Sequence, residues 1–184
     1  MKQNYPVVAC IFSIMLLAIC LAGCSSSSSS PPAPPPTPAP TLIDNPGFET
    51  EDGWTFVSGA AIVNHDARSG SHCLYIPGSS DTSIAPRASF MISGGFTPGQ
   101  TLNCSIYAKS NDTAGVKLQL IVWFDFTPSV NQELDIASAS YATYPGPAGA
   151  YEIPSGTTSI TVELRNASLT TGKDLYIDDL TVTI

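Results

Sequence analysis

The sequence predicts an all-β domain, a sandwich of two sheets, running from about Leu42 to Ile184. Three observations predict it. That stretch is rich in Val, Ile, Thr and aromatic residues, and Gly, Pro, Asn, Asp or Ser interrupts it roughly every 8–12 residues, the rhythm of short strands joined by turns. Several runs alternate apolar and polar side chains with period two, as a strand between core and solvent does. Ala, Leu, Glu and Lys never cluster at a helical period. The chain has 184 residues, enough for one real core and too few for two large domains.

The first segment is an address. Lys2 precedes an uncharged apolar run, Val7 to Ala22, which reads as the charged and hydrophobic regions of a secretory signal. Leu21-Ala22-Gly23-Cys24 at its end resembles the lipobox of bacterial lipoproteins. That resemblance implies a signal peptide over 1–23, diacylglycerol on the Cys24 thiol, and cleavage that leaves Cys24 as the new N-terminus. Attachment to the bacterial cell envelope follows, with several acyl chains holding firmly where one holds marginally. Ser25, a residue other than Asp, resembles the sorting rule that sends Gram-negative lipoproteins to the outer membrane. The alternative is an uncleaved anchor helix, which also leaves the domain tethered. Residues 24–41 form a spacer. Ser25–Ser30 is a flexible polar run, and Pro31–Pro40 is an extended polyproline II segment that stands the domain off from the membrane.

Three runs in the domain assign faces. Leu102, Cys104, Ile106 and Ala108 oppose Asn103, Ser105, Tyr107 and Lys109. Val116, Leu118, Leu120, Val122, Phe124 and Phe126 oppose Lys117, Gln119, Ile121, Trp123 and Asp125. Ile160, Val162 and Leu164 oppose Ser159, Thr161, Glu163 and Arg165. The apolar sets are expected to face the core. The other sets combine aromatic rings with amides and charges. In the last run, Tyr176, Leu180, Val182 and Ile184 are expected to share an inward face with Asp178.

Four motifs now stand in order along the domain: Asn45-Pro-Gly-Phe-Glu49 with Asp52-Gly-Trp54, Ala67-Arg-Ser-Gly-Ser-His-Cys-Leu74, Phe96-Thr-Pro-Gly-Gln-Thr-Leu102 continuing to Lys109, and Leu175-Tyr-Ile-Asp-Asp-Leu180. Together they resemble carbohydrate-binding modules of families four, nine, sixteen and twenty-two. The departures are Pro46 for a common Gly, Leu102 for a usual Tyr, and a missing Trp at the start of the second-half strand. The resemblance implies a galactose-binding-like jelly roll. It also implies a structural calcium ion joining the Glu of the opening motif to the first Asp of the closing pair, here Glu49 and Asp178, with carbonyls of 69–71 available. Calcium accepts such mixed oxygen ligands. The alternative is that backbone N–H groups at a strand end satisfy Asp178. Trp54 is expected in the core.

Arg87, Tyr107, Gln119, Trp123, Glu163 and Arg165 are expected to line one sheet as a glycan-binding face. Sugars present flat C–H faces and hydroxyls, which exposed rings beside fixed donors and acceptors recognise. Ile121 on the same face favours the alternative, in which a loop covers the rings. Cys104 points inward and Cys73 outward, so free thiols are expected rather than a bridge. His65 and His72 have no metal-ligand spacing, and no hydrolase or phosphate-binding motif occurs, so an enzyme is not expected. Lys and Arg number 7 against 15 Asp and Glu, a formal charge of -8, which repels phosphate backbones and excludes nucleic acid as an expected partner. The resulting expectation is a monomeric, membrane-anchored, non-catalytic polysaccharide-binding protein. The alternative is a structural or adhesive envelope module that binds a protein. Which glycan, with what affinity, and beside which partner enzymes is not legible in the residues.

Overall fold

The computed structural model describes residues 41–81, 83–112, 114–125, 127–146 and 151–184, with the side chains of 128–130 left outside that description. The signal, Cys24 and the Pro-rich spacer up to Pro40 lie outside the described residues, as does Phe126. Among the described residues no helix is long and apolar enough to cross a membrane.

The described chain forms strands β1 (Trp54–Val57), β2 (Ala61–Val63), β3 (Cys73–Ile76), β4 (Arg87–Ser93), β5 (Thr101–Ser110), β6 (Val116–Phe124), β7 (Thr127–Ile136), β8 (Ala142–Pro145), β9 (Tyr151–Glu152), β10 (Ser159–Asn166) and β11 (Leu175–Thr183). They pair antiparallel into two sheets. One has the order β1-β4-β10-β6-β7. The other has the order β2-β3-β11-β5-β8, with β9 added beside β5. Thr41 and Leu42 tie the start of the domain to its last strand: Leu42 N–H donates to the Val182 carbonyl at 2.7 Å, and Val182 N–H donates to Thr41 Oγ1 at 3.2 Å.

The core is the product of side-chain parity. Leu102, Cys104, Ile106 and Ala108 of β5 face Val116, Leu118, Leu120, Val122 and Phe124 of β6 and Ile160, Val162 and Leu164 of β10, all buried, as the alternation predicts. Each such aliphatic side chain contributes about 1.5–3 kcal/mol by leaving water. Trp54 is also in the core. Its ring sits 4.8 Å from Phe48 and 5.4 Å from Phe90, centroid to centroid, in tilted contacts favourable for aromatic pairs. Gly53, just before it, has φ 77°, and a Cβ there would lie 2.4 Å from the Phe90 ring.

β11 departs from its expected face. Leu175 and Ile177 point into the core, so Tyr176 and Asp178 point out of the sandwich; beyond them Leu180 and Val182 point in again, and Ile184 is exposed. The reason is a bulge. Asp178 pairs with Tyr107 and Thr181 with Ser105, three steps on β11 against two on β5, and one extra residue reverses the parity. Asp179 takes the left-handed conformation there (φ 47°), and Leu180 N–H donates to the Pro46 carbonyl at 2.8 Å. Asp178 is nonetheless buried, because the segment after β2 covers the outside of this sheet. Cys73 shares that fate: it lies on the face opposite Leu74, yet it is buried, with its thiol donating to the His65 carbonyl at 3.3 Å. Both Cys73 and Cys104 are free thiols, and burial pushes the Cys104 thiol up to about 12.

Candidate functional site

The outer face of the five-stranded sheet is built in rows by strand register. Trp123 lies opposite Thr161, and Thr161 opposite Met91. The next row runs Asn131, Ile121, Glu163, Ser89, Thr55. The third runs Glu133, Gln119, Arg165, Arg87, Val57. The sequence-predicted residues Arg87, Gln119, Trp123, Glu163 and Arg165 therefore share one face.

Tyr107 does not join them. It sits on β5 in the other sheet, on that sheet's outer side, with the Arg68 guanidinium 3.5 Å from its ring centroid. Alternation tells which side of a strand a residue takes, but not which of two sheets owns the strand.

A groove of about 560 Å³ runs along the face, lined by Gly53, Thr55, Ser89, Met91, Trp123, Thr161 and Glu163. Trp123 is half-buried on its wall, and the indole Nε1 has no hydrogen-bond partner among the described residues. Met91 is 53% exposed and offers apolar surface across Thr161 from it, whereas Ile121 is only 4% exposed and is covered in the middle row. Glu163 is the one carboxylate of the lining. It accepts from Arg165 Nε at 3.0 Å and Nη2 at 2.5 Å, and Arg87 Nε stands 3.7 Å from its other oxygen. The arrangement offers an apolar wall, hydroxyls, and a fixed line of charges along one groove.

Sequence reasoning missed Gly53, Thr55, Ser89, Met91 and Thr161 as groove residues. For β4 the signal was present: Arg87, Ser89, Met91 and Ser93 alternate with Ala88, Phe90 and Ile92.

The proposed metal ligands meet at one turn on the other side of the molecule. Asp178 accepts the N–H groups of Arg68 at 2.8 Å, Ser69 at 3.0 Å and Asp179 at 2.8 Å. Glu49 accepts the N–H of Ser71 at 3.0 Å and lies 3.2 Å from His72 Nδ1. The 68–72 turn is thus held by a carboxylate at each end, as backbone nests bind anions. Gly70 (φ 59°) permits it, since a Cβ there would sit 1.8 Å from Glu49 Oε1. Burial pushes the Asp178 carboxyl up, opposed by its three N–H bonds; the Ser71 N–H and the His72 ring hold Glu49 below its ordinary value. Backbone N–H groups, the alternative named for Asp178, are therefore what both carboxylates accept. Among the described residues no group of three or more His, Cys, Asp or Glu side chains is placed to hold a metal. Arg68 pairs instead with Asp179, leaving buried Asp178 with no cationic partner among the described residues.

No family model matches the chain, and no curated protein matches it in sequence. Solved structures do match its shape. A family 61 carbohydrate-binding module in complex with beta-1,4-galactotriose aligns at TM-score 0.57 and 17% identity, over 78% of this chain and 98% of that one. The fold is that of a carbohydrate-binding-module jelly roll. The same fold is found in the CBM22-1 xylan-binding domain of Xyn10C from Paenibacillus barcinonensis, with TM-score 0.57, 17% identity, and 79% and 94% of the two chains covered. It is found again in a family 16 carbohydrate-binding module, with TM-score 0.55, 17% identity, and 79% and 100% covered. At these identities the likeness defines the architecture, and function rests on the site.

Proposed function

We propose that the domain is a non-catalytic polysaccharide-binding module whose ligand lies in the groove on the outer face of the five-stranded sheet. The observation that carries this reading is the groove itself: Trp123 and Met91 form an apolar wall, and Ser89, Thr161 and Glu163 set hydrogen-bonding groups along it. A sugar ring would lay its C–H face on the indole and spend its hydroxyls on these neighbours. Gln119, Arg87 and Arg165 extend the polar row. The solved relatives in shape support the reading through their own ligands, galactotriose in one and xylan in another. Covered Ile121 is the observation that favours the second reading, an adhesive module that packs this face on a protein.

The test is retention of the detergent-solubilised full chain in gels cast with polysaccharide. Trp123→Ala is expected to keep the parent's melting midpoint and lose retention; equal retention of parent and variant would remove Trp123 from the site.

The proposal extends to the anchor and the ion. Acylation of Cys24 would place the module on the bacterial cell envelope, at the outer membrane in a Gram-negative host, as a monomer. A structural calcium held by Glu49 and Asp178 fits the chemistry in one respect: it would supply the counter-charge buried Asp178 lacks, through lone pairs left after the N–H bonds.

A further inference from the structure

We infer that the polysaccharide this groove takes is acidic, carrying carboxylates on its sugar rings as uronic acids do. The inference rests on the reading just given, that the face binds glycan at all. What it adds comes from the ion pairs.

Six cationic side chains lie in the described domain, and four of them have close carboxylates of their own. Lys109 reaches Asp66 at 2.6 Å. Lys117 reaches Asp135 at 2.6 Å and Glu133 at 3.0 Å. Lys173 reaches Asp112 at 3.0 Å, and Arg68 pairs with Asp179. The remaining two, Arg87 and Arg165, stand directly opposite each other in register and share Glu163. Arg165 takes one oxygen of that carboxylate with two donors. Arg87 is left with long contacts only, 3.5 Å to the Ala85 carbonyl and 3.7 Å to Glu163.

Within this trio one positive charge is therefore in excess, on a chain whose formal charge is -8, while at the β7 end of the face Glu133 and Asp135 share Lys117. Arg87 is also about one-third exposed. A guanidinium fork matches a carboxylate with two parallel hydrogen bonds, which a neutral hydroxyl cannot return. The acidity of the rest of the molecule does not prevent this. Charges beyond about 8–10 Å are largely screened at ordinary ionic strength, whereas a partly buried contact pair is screened much less and weakens only as salt is raised further. The apolar wall by Trp123 and Met91 takes the ring face, and Arg87, two rows away, is within reach of a charged substituent on a neighbouring sugar.

The test compares matched polymers on the detergent-solubilised full chain: polygalacturonate and glucuronoxylan, each beside its carboxyl-reduced form, with dextran sulfate as a differently charged control. Affinity is expected to fall about tenfold or more on carboxyl reduction, the worth of one charge-assisted hydrogen bond, and the difference should shrink as salt is raised. Arg87→Gln is expected to abolish the preference, so that the variant binds the carboxylated polymer no better than its reduced form. Arg87→Lys should keep part of the preference. Equal affinity for both members of each pair would overturn the inference and leave the glycan-binding reading standing. Preference for dextran sulfate over both carboxylated polymers would overturn the carboxylate assignment. No retention of any polymer would overturn the glycan-binding reading and the inference with it. Should Arg87→Gln fail to fold, the polymer pairs alone decide.

Discussion

Replacing Asp178 by Asn keeps the shape of the side chain and changes one atom from acceptor to donor. The structure says what that atom meets. Oδ2 accepts two N–H groups, from Arg68 and Ser69, and Oδ1 accepts one, from Asp179. The amide oxygen of Asn will take the position with two donors, which leaves its NH₂ group facing the Asp179 N–H at 2.8 Å. One buried donor then loses its acceptor and two donors oppose each other, a cost of about 2 kcal/mol, in the range for an unsatisfied buried group. For a domain of this size a change of 1 kcal/mol moves the melting midpoint by about 3–4 °C, so the midpoint should drop by about 6–8 °C. Asp178→Ala orphans all three donors and should fall further. Calorimetry of parent and variants measures the drop, and amide exchange at Ser69 and Asp179 locates it. An Asp178→Ala variant as stable as the parent, with unchanged exchange at Ser69, would refute the assignment of Asp178 as the fastener of the 68–72 turn, and unchanged exchange at Asp179 in the Asn variant would refute the placement of its amide. The same melts with and without chelator test calcium. A parent midpoint that falls on chelation is the expected result for a bound ion, and an unchanged one argues against it.

The remaining predictions concern pH and the tether. The Thr158 hydroxyl, with the N–H groups of Thr158 and Ser159, holds the Asp125 carboxyl below its ordinary value, so its contribution is complete above the unfolded pKa of about 3.9 and is lost as pH falls through that value towards the folded one. Asp125→Asn should therefore melt below the parent at neutral pH, with a gap that narrows as pH drops under about 4; a constant gap across that window would disprove the role of the charge. For the anchor, Cys24→Ala should abolish incorporation of labelled palmitate in a bacterial host, and undiminished labelling would move the lipid elsewhere.

Parity carried the reading where strands are regular. β5, β6 and β10 bury the residues their alternation assigned, because the extra residues that shift register lie on their partners β11 and β7 and leave their own alternation intact. Two kinds of information were beyond it. Strand partners are set by packing across long sequence distances, so nothing near Tyr107 reveals that β5 joins β11 and β8 while β6 joins β10 and β7. The bulge at Asp178–Thr181 depends on a residue adopting a left-handed backbone, and an Asp-Asp pair does not announce that as a Gly would. Tyr176 and Asp178 were assigned to the wrong side of the sheet for that reason, whereas Ile184 is exposed because it lies past the end of β11. Cys73 shows a third limit: alternation distinguishes the two sides of a sheet, and a loop folded over the outer side can bury a residue there as completely as the core does. The groove was half legible. Trp123 and Glu163 followed from β6 and β10, whereas Met91 and Thr55 became part of it only through pairing with β10 and β4.

The bonds from Thr41 and Leu42 to Val182 bear on how the domain carries load. A force arriving at Thr41 passes straight into β11, which β3 and β5 flank on both sides. It would have to shear that inner strand past two neighbours at once rather than peel a free margin of the sheet. The groove occupies the other sheet, so tension between an anchor and a gripped polymer would cross the whole hydrophobic sandwich before reaching the binding surface.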